Sequence, residues 1–267
     1  MNLLLVCGYM ADADLWRDVV PDLAALGPVA VQDLSQGETI LAMAERILAD
    51  APPRFALIGF SMGGYVAREI LRLAPDRVEA LILVASSARG DTAVQAARQA
   101  AAVDGVSPQR FRGLSRAAIT ASLSPTHAED EALVDRVRAM GLRLGWDVFV
   151  RQSRVTRGGD LDRLAELTVP TLVIAATEDR LRGLDEAREL AAGIPSAVLR
   201  VIADSGHMIP IEQPVVLARE MRDWLSHLGR KGVIPLNSSS PRKRGPRLFL
   251  KGVALDDNTP GSPLSRG

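Results

Sequence analysis

A serine flanked by glycines is the residue of this sequence best placed to do chemistry. It lies in the run Gly59-Phe60-Ser61-Met62-Gly63, which follows the apolar stretch Phe55–Ile58 and precedes a helical pattern beginning at Tyr65. A sharp turn from strand to helix exposes a serine hydroxyl, and its glycines avoid collisions with neighbouring backbone. The start of the helix also directs the backbone N–H of Met62 toward the space above that hydroxyl. The pattern predicts Ser61 as a nucleophile, with one donor for an oxyanion beside it.

A serine nucleophile needs a base, because free serine reacts poorly near neutral pH. Neutral imidazole, whose ordinary pKa is about 6.5, suits that task. The chain has three histidines, and of these only His207 follows a predicted strand, Val198–Ile202. His127 falls in a helical region and His227 near the end of the last predicted helix. We therefore expect His207 to be the base.

A carboxylate would complete the arrangement by accepting the other ring N–H of the imidazole, which fixes its tautomer. Asp179 follows the predicted strand Leu172–Ala175. Because loops at the carboxyl ends of parallel strands meet in one crevice, Asp179 is the expected acid. Asp91, which follows an earlier strand, is the competing candidate, and Glu178 is the adjacent alternative.

The elements that would position these residues alternate between strand and helix from residue 1 to 228, which indicates an α/β fold with a mostly parallel central sheet flanked by helices. Strands are predicted at Leu3–Val6, Val29–Val31, Phe55–Ile58, Ala80–Val84, Leu172–Ala175 and Val198–Ile202. Helices are predicted at Leu15–Leu26, Ile40–Ala49, Tyr65–Ala74, Asp185–Ala192 and Val215–Leu228.

The strand pattern disappears in the middle of the chain. Residues 89–168 carry only helical patterns, at Thr92–Val103, Arg116–Ser122, Ala128–Met140 and Trp146–Val155. We expect a helical lid over a core made of residues 1–88 and 169–228, because lids of this kind shape the substrate pocket. Phe60, Tyr65 and Trp146 are expected to line that pocket.

The predicted lid is also rich in arginine. These residues either form solvated helix faces or recognise a carboxylate or a phosphopantetheine-type acyl carrier. Acidic residues at helical spacing (Glu129, Asp130, Glu131 and Asp135) favour solvated faces. The arginines include Arg110, Arg112, Arg116, Arg136, Arg138, Arg143, Arg151, Arg154 and Arg157.

Composition narrows the class of protein. Lysine plus arginine and aspartate plus glutamate are equal at 32 each, which gives no general reason to expect nucleic acid or membrane partners. The single cysteine, Cys7, excludes a disulfide framework or a cysteine-based zinc site and favours the reducing cytoplasm. All three lysines lie beyond residue 228, and residues 229–267 are rich in proline, glycine, serine and basic residues. We expect that basic tail to be disordered.

The turn around Ser61 and the chain order Ser61, Asp179, His207 resemble the α/β-hydrolases, in particular lid-bearing bacterial esterases and related acyl and carbon–carbon bond hydrolases. The resemblance covers almost all of residues 2–228. It implies a Ser-His-Asp hydrolase without metal or organic cofactor, in which the backbone N–H of Tyr9 supplies the second oxyanion donor. The sequence departs from the family at Cys7, where a histidine commonly precedes the glycine.

The expected activity is hydrolysis of a carboxylic ester with a small or medium acyl group, so the expected partner is a small-molecule ester. The same groups support three other interpretations. These are cleavage of a carbon–carbon bond in a diketone or dienone acid, hydrolysis of methyl esters on carrier-bound acyl chains, and a ligand-binding homologue without fast turnover. The sequence leaves the substrate and the oligomeric state open.

Overall fold

A central parallel sheet organises the molecule. The computed structural model describes residues 1–231 and the pair 248–249. The sheet has the strand order β2-β1-β3-β4-β5-β6, and a two-residue strand, β7 (Leu248–Phe249), pairs in parallel with β6. The six longer strands are β1 (Leu3–Val6), β2 (Val29–Gln32), β3 (Phe55–Phe60), β4 (Val78–Val84), β5 (Thr171–Ala176) and β6 (Ala197–Ile202). All these pairings are parallel, which confirms the expected fold class.

Helices cover both faces of the sheet, and a sheet covered in this way has predominantly apolar central strands. Every residue of β1, β3 and β5 is buried. Side chains alternate between the faces, so Leu3 and Leu5 join one apolar cluster whereas Leu4 and Val6 join the other. The helices are α1 (Val20–Leu23), α2 (Ile40–Asp50), α3 (Met62–Leu73), α4 (Ala93–Asp104), α5 (Arg116–Ser122), α6 (Glu131–Ser153), α7 (Leu184–Gly193), α8 (Ile209–Glu212) and α9 (Pro214–Lys231).

The first predicted helix, Leu15–Leu26, is wrong as a single element. The chain there forms a 3₁₀ turn at Ala13–Trp16, then the four-residue α1, then a second 3₁₀ turn at Ala24–Leu26. Pro21 lies within this stretch and has no N–H to donate to the preceding turn, so a continuous helix is interrupted there. The short helix α8 is also absent from the sequence predictions.

Helices α4, α5 and α6 lie between β4 and β5, where the sequence predicts helices. Gly145 interrupts α6 with a φ of 83° and a ψ of 178°, a conformation that side chains rarely permit. This break falls between the two helices that the sequence predicts here, Ala128–Met140 and Trp146–Val155. The assignment of residues 89–168 as a lid stays a prediction.

A buried ion pair attaches the chain after α6 to the core. The guanidinium of Arg68, which is fully buried on α3, donates to both carboxylate oxygens of Asp160 at 2.9 Å, and Arg72 donates to the same carboxylate at 2.6 Å. Burial alone would raise the pKa of Asp160, but the two arginines outweigh it and hold the pKa below its ordinary value. The segment that returns from α6 to β5 is therefore fixed on α3.

Two negative findings apply to residues 1–231 and 248–249. No helix there is long and apolar enough to cross a membrane. No group of three or more histidine, cysteine or acidic side chains there could hold a metal ion. The expected tail at 229–267 lies outside the described residues, apart from the last residues of α9 and the strand β7.

Candidate active site

Three turns at the carboxyl edge of the sheet bring the predicted trio together. Ser61 follows β3, Asp179 follows β5 and His207 follows β6. The Nε2 atom of His207 lies 2.9 Å from Oγ of Ser61, and its Nδ1 atom lies 2.8 Å from Oδ2 of Asp179. The three side chains thus form one continuous hydrogen-bonded chain.

The serine turn (residues 59–63) is tightly constrained. Ser61 has a φ of 52° and a ψ of −115°, a strained conformation for a residue with a side chain. A Cβ atom on Gly59 would lie 2.5 Å from the carbonyl oxygen of Gly63, and one on Gly63 would lie 2.3 Å from that of Cys7. Both glycines are therefore required by steric contact with backbone, as the sequence pattern predicts.

Asp179 is oriented by backbone donors as well as by the imidazole. Its Oδ1 atom accepts hydrogen bonds from the amides of Leu181 and Arg182 at 2.8 and 2.9 Å, which leaves Oδ2 for His207. Burial would raise the pKa of Asp179, but the interaction with His207 and these hydrogen bonds outweigh burial and lower the pKa. The group facing the imidazole is therefore a carboxylate, which accepts the Nδ1–H.

Neither of the two alternative acids, Asp91 and Glu178, is the carboxylate that bonds His207. Asp91 is engaged by Arg157, whose Nη2 lies 2.7 Å from Oδ1 of Asp91. Glu178 has one buried carboxylate oxygen with no hydrogen-bond partner among the residues the structure describes. Asp179 is thus the acid that His207 contacts.

A buried glutamate holds the histidine loop (residues 204–208), and the sequence predictions missed it. The side chain of Glu212 is fully buried, and its two oxygens accept from the amide of Gly206 at 3.0 and 3.1 Å and from that of Met208 at 3.1 Å. It also accepts from the amide of Ser124 at 2.8 Å. The amides on both sides of the imidazole-bearing residue therefore share one carboxyl group.

The end of α5 contacts the same loop directly. The amide of His207 donates to the carbonyl oxygen of Ser122 at 2.8 Å. The imidazole of His127 reaches the carboxyl group of Glu212, with Nδ1 at 3.2 Å from Oε2. A region predicted to be a lid thus takes part in fixing the loop that carries the proposed base.

A glutamine from α6 holds the oxyanion loop (residues 8–12) in a similar way. Gln152 is buried, and its Oε1 accepts from the amide of Met10 at 2.7 Å while its Nε2 donates to the carbonyl oxygen of Leu34 at 2.8 Å. Met10 has a φ of 51°, which a residue with a side chain adopts only under constraint. The neighbouring Tyr9 hydroxyl lies 2.7 Å from Oγ of Ser153.

The two predicted oxyanion donors have free amides. Tyr9 follows directly on Gly8, and Met62 is the first residue of α3. Neither backbone N–H donates a hydrogen bond to another residue within the described part of the chain. Their role toward an oxyanion stays a prediction.

Cys7, the departure from the family pattern, is a buried neutral thiol. Its Sγ donates to the carbonyl oxygen of Asp12 at 3.2 Å. Burial raises the pKa of the Cys7 thiol, and the nearby carboxylates of Asp33 and Asp12 raise it further. Because thiolate is the reactive form, this residue contributes a hydrogen bond within the loop and no nucleophile.

A cavity of about 860 Å³ opens over the serine and the imidazole. Phe60 lines it, and the Phe60 ring centroid lies 5.2 Å from that of His207. Further apolar lining comes from Met10, Met140 and Phe149. The volume falls in the range of small-molecule pockets.

Tyr65 and Trp146 differ from expectation, since neither is among the residues that line this cavity. Tyr65 is buried beneath the guanidinium of Arg68, and its hydroxyl donates to the carbonyl oxygen of Arg89 at 2.7 Å. Trp146 packs against Phe149, with ring centroids 5.7 Å apart. The sequence places both residues on helices, but its periodicity does not show which way their rings point.

Comparison with known proteins agrees with the resemblance to α/β-hydrolases. A family model described as "Alpha/beta hydrolase family" matches residues 3–220. A pimeloyl-[acyl-carrier protein] methyl ester esterase from Edwardsiella ictaluri is 40% identical over 94 residues, which cover 32% of this chain and 36% of the relative. The chain thus matches only about a third of the length of the first such relatives. The protein of the same name from Vibrio campbellii is 27% identical over 231 residues, or 77% of this chain and 87% of the relative.

Solved structures share the architecture. A thermophilic esterase from Thermogutta terrifontis superposes with a TM-score of 0.75 at 26% identity, over 85% of this chain and 90% of that one. An enol-lactonase from Burkholderia xenovorans has a TM-score of 0.74 at 20% identity, over 84% and 91%, which speaks for the fold alone.

Proposed function

This chain belongs to the α/β-hydrolase family, and from that premise we propose that it is a serine hydrolase cleaving a carboxylic ester of a small or medium acyl group. The observation that carries the proposal is the hydrogen-bonded chain from Ser61 through His207 to Asp179, with distances of 2.9 and 2.8 Å. The ester would bind in the cavity that Ser61 and His207 line.

In the first half of the reaction, Nε2 of His207 accepts the proton of the Ser61 hydroxyl as Oγ attacks the carbonyl carbon. The carboxylate of Asp179 stabilises the imidazolium that results. The tetrahedral intermediate carries its negative charge on the former carbonyl oxygen, and the free amides of Tyr9 and Met62 are the proposed donors to it. The carbon–oxygen bond to the alcohol then breaks, and the imidazolium gives its proton to the departing alkoxide.

The second half releases the acid. A water molecule attacks the acyl carbon of the ester formed on Ser61 while His207 accepts one of the water's protons. The bond between the acyl carbon and Oγ then breaks, and the proton on Nε2 returns to the serine oxygen. Each step uses only this chain's residues and water.

A fluorophosphonate probe tests the proposal, because it reacts covalently with an activated serine. We expect wild-type protein to be labelled and Ser61→Ala to remain unlabelled, with turnover of p-nitrophenyl butyrate lost in the same variant. Ser196→Ala, at an exposed position just before β6, serves as the control. Folded wild-type protein that neither labels nor turns over esters would contradict the proposal and favour the ligand-binding homologue. Cleavage of a dienone acid in preference to every ester would favour carbon–carbon bond hydrolysis.

A second candidate is hydrolysis of a methyl ester on a carrier-bound acyl chain. The observation in its favour is the Vibrio campbellii relative, whose alignment spans most of both chains. The test measures release of methanol from a pimeloyl methyl ester on acyl carrier protein and from dimethyl pimelate, which lacks the carrier. A kcat/KM well above that for dimethyl pimelate would support this candidate. Equal rates on both would point to the small-molecule ester.

Two further assignments go with this proposal. Residues 89–168 act as the lid, since α4, α5 and α6 contribute side chains to the cavity above Ser61. The protein works in the reducing cytoplasm, which suits its single buried cysteine. Limited proteolysis of the lid with and without a covalent inhibitor on Ser61 tests the first, and cell fractionation tests the second.

A further inference from the structure

The charge of the active-site cavity is strongly one-sided. Seven arginines line it, and no aspartate or glutamate does so among the described residues. The chain as a whole is neutral, with 32 basic and 32 acidic residues, so this is a local feature. Concave surfaces lined by charges of one sign concentrate the field and attract ligands of the opposite sign.

Four of these arginines are neutralised by carboxylates outside the cavity lining, and two of the four pairs use acids that the sequence interpretation named, Glu131 and Asp135. The pairs are Arg116–Glu131, Arg138–Asp135, Arg157–Asp91 and Arg182–Glu186. Their charges are balanced before any ligand arrives.

The other three, Arg98, Arg110 and Arg112, have no carboxylate partner among the residues the structure describes. They come from one stretch of chain, α4 and the segment that follows it. On α4, Gln95, Arg98 and Gln99 face the cavity at helical spacing. Arg112 donates from Nη1 to the carbonyl oxygens of Gln109 and Phe111 at 2.9 and 2.8 Å, which leaves its other N–H groups available.

We propose that Arg98, Arg110 and Arg112 bind an anionic group, a carboxylate or a phosphate, carried by the ester substrate. Guanidinium groups present paired N–H donors that match both anions. The apolar lining by Phe60, Met140 and others then contacts the carbon chain between that anion and the ester. The inference rests on the proposed ester hydrolysis and adds the substrate class: an ester that also carries a negative charge.

The test compares esters of equal chain length that differ in charge: the mono-p-nitrophenyl ester of adipic acid, which is anionic, and p-nitrophenyl hexanoate, which is neutral. At low ionic strength we expect kcat/KM to favour the anionic ester about tenfold or more, and added NaCl to reduce the preference. Each of Arg98→Gln, Arg110→Gln and Arg112→Gln should lower kcat/KM for the anionic ester about two- to fivefold while leaving the neutral ester nearly unchanged. The triple variant should lose the preference.

A matched control removes an arginine of the same cavity together with its partner. The double variant Arg116→Gln/Glu131→Gln deletes one charge of each sign, so it should alter the preference by less than about twofold. Inhibition by adipate and by butyl phosphate, measured on wild type and on the triple variant, separates carboxylate from phosphate recognition, because the anion that suits the site inhibits at lower concentration and loses potency in the variant.

Wild type that favours the neutral ester at low salt, or a triple variant that keeps the anionic preference, would overturn the inference. Failure of the proposed function is a different result: neither ester would be cleaved and Ser61 would not react with a fluorophosphonate. In that case calorimetric titration with adipate still tests the arginines, with binding by wild type and none by the triple variant expected.

Discussion

The serine turn and the histidine loop lie at the same edge of the sheet, yet they are held by different interactions. In the serine turn, Gly59 and Gly63 allow close approach of backbone that is either within the turn or on adjacent β1. The histidine loop instead depends on the side chain of Glu212, which also bonds an amide 88 residues away in the chain. The first is determined by close packing of backbone, and the second by a buried polar side chain on the short helix α8.

The oxyanion loop resembles the histidine loop, because a buried polar side chain also accepts a hydrogen bond from one of its amides. Its anchor, Gln152, is 142 residues from Met10 and comes from the predicted lid. The histidine loop and the oxyanion loop therefore both depend on contacts with residues 89–168, the first through the end of α5 and the second through the end of α6. The region expected to set specificity also positions groups proposed to do the chemistry.

The largest effect should come from the serine turn. In Gly63→Ala the new Cβ would lie 2.3 Å from the carbonyl oxygen of Cys7, and backbone cannot move aside cheaply. We expect a loss of more than about 3 kcal/mol in the free energy of unfolding, at the upper end for overpacking, with labelling of Ser61 abolished. Denaturant unfolding and fluorophosphonate labelling measure the two. Gly158→Ala, where nothing lies within 4 Å, should stay within about 0.5 kcal/mol of wild type.

The histidine loop should respond next, and mainly through the rate. In Glu212→Gln an NH₂ group replaces one of two oxygens that both accept from backbone amides, so the loop must shift. A displacement of the base by about 1 Å costs on the order of 100-fold in kcat, with KM changed little. The rate should be expressed per active site titrated with fluorophosphonate, which removes the contribution of unfolded protein. Glu45→Gln, an exposed change on α2, is the control. If Glu212→Gln kept the wild-type kcat, the conformation of the histidine loop would not depend on the carboxyl group of Glu212.

The oxyanion loop should show a smaller effect, because Gln152 touches the residue beside the proposed donor rather than the donor itself. Gln152→Met keeps the length and removes both hydrogen bonds, and we expect kcat to fall about tenfold, less than the loss of a donor outright. Gln152→Glu retains an acceptor for the amide of Met10 and should recover part of the rate. Gln109→Met, at an exposed position in the segment after α4, is the control. Equal kcat values for wild type and Gln152→Met would show that the oxyanion loop does not depend on the hydrogen bonds of Gln152.

The same contrast explains how much could be predicted from the sequence. Strand alternation and the glycine pattern predict the sheet and the serine turn, because residue types within a short run indicate both, even though a Cβ atom on Gly63 would lie closest to distant Cys7. The proximity of Asp179 and His207 could be predicted because strand ends converge in a parallel sheet, and their chemical roles stay predictions. Glu212 and Gln152 could not, since no sequence periodicity shows which polar side chain turns inward to accept from backbone amides, whether the amide is four residues away or 142. The expectation that Tyr65 lines the cavity differed for a similar reason. Its position on α3 was clear, but the direction of its side chain depends on the packing around Arg68.

The smallest effect concerns the pH dependence of the stability that Asp179 contributes. Burial would raise the pKa of Asp179, but His207 and two backbone amides lower it. Since the folded pKa is below the unfolded one, roughly 3.9, the stability that Asp179 contributes is complete above that value and is lost as pH falls through the folded pKa. Between pH 7 and about 5, Asp179 should therefore remain ionised in both the folded and the unfolded protein. The difference in unfolding free energy between wild type and Asp179→Asn should stay constant over that range and shrink only at lower pH. A difference that already shrinks within that range would mean that the pKa of Asp179 is not lowered.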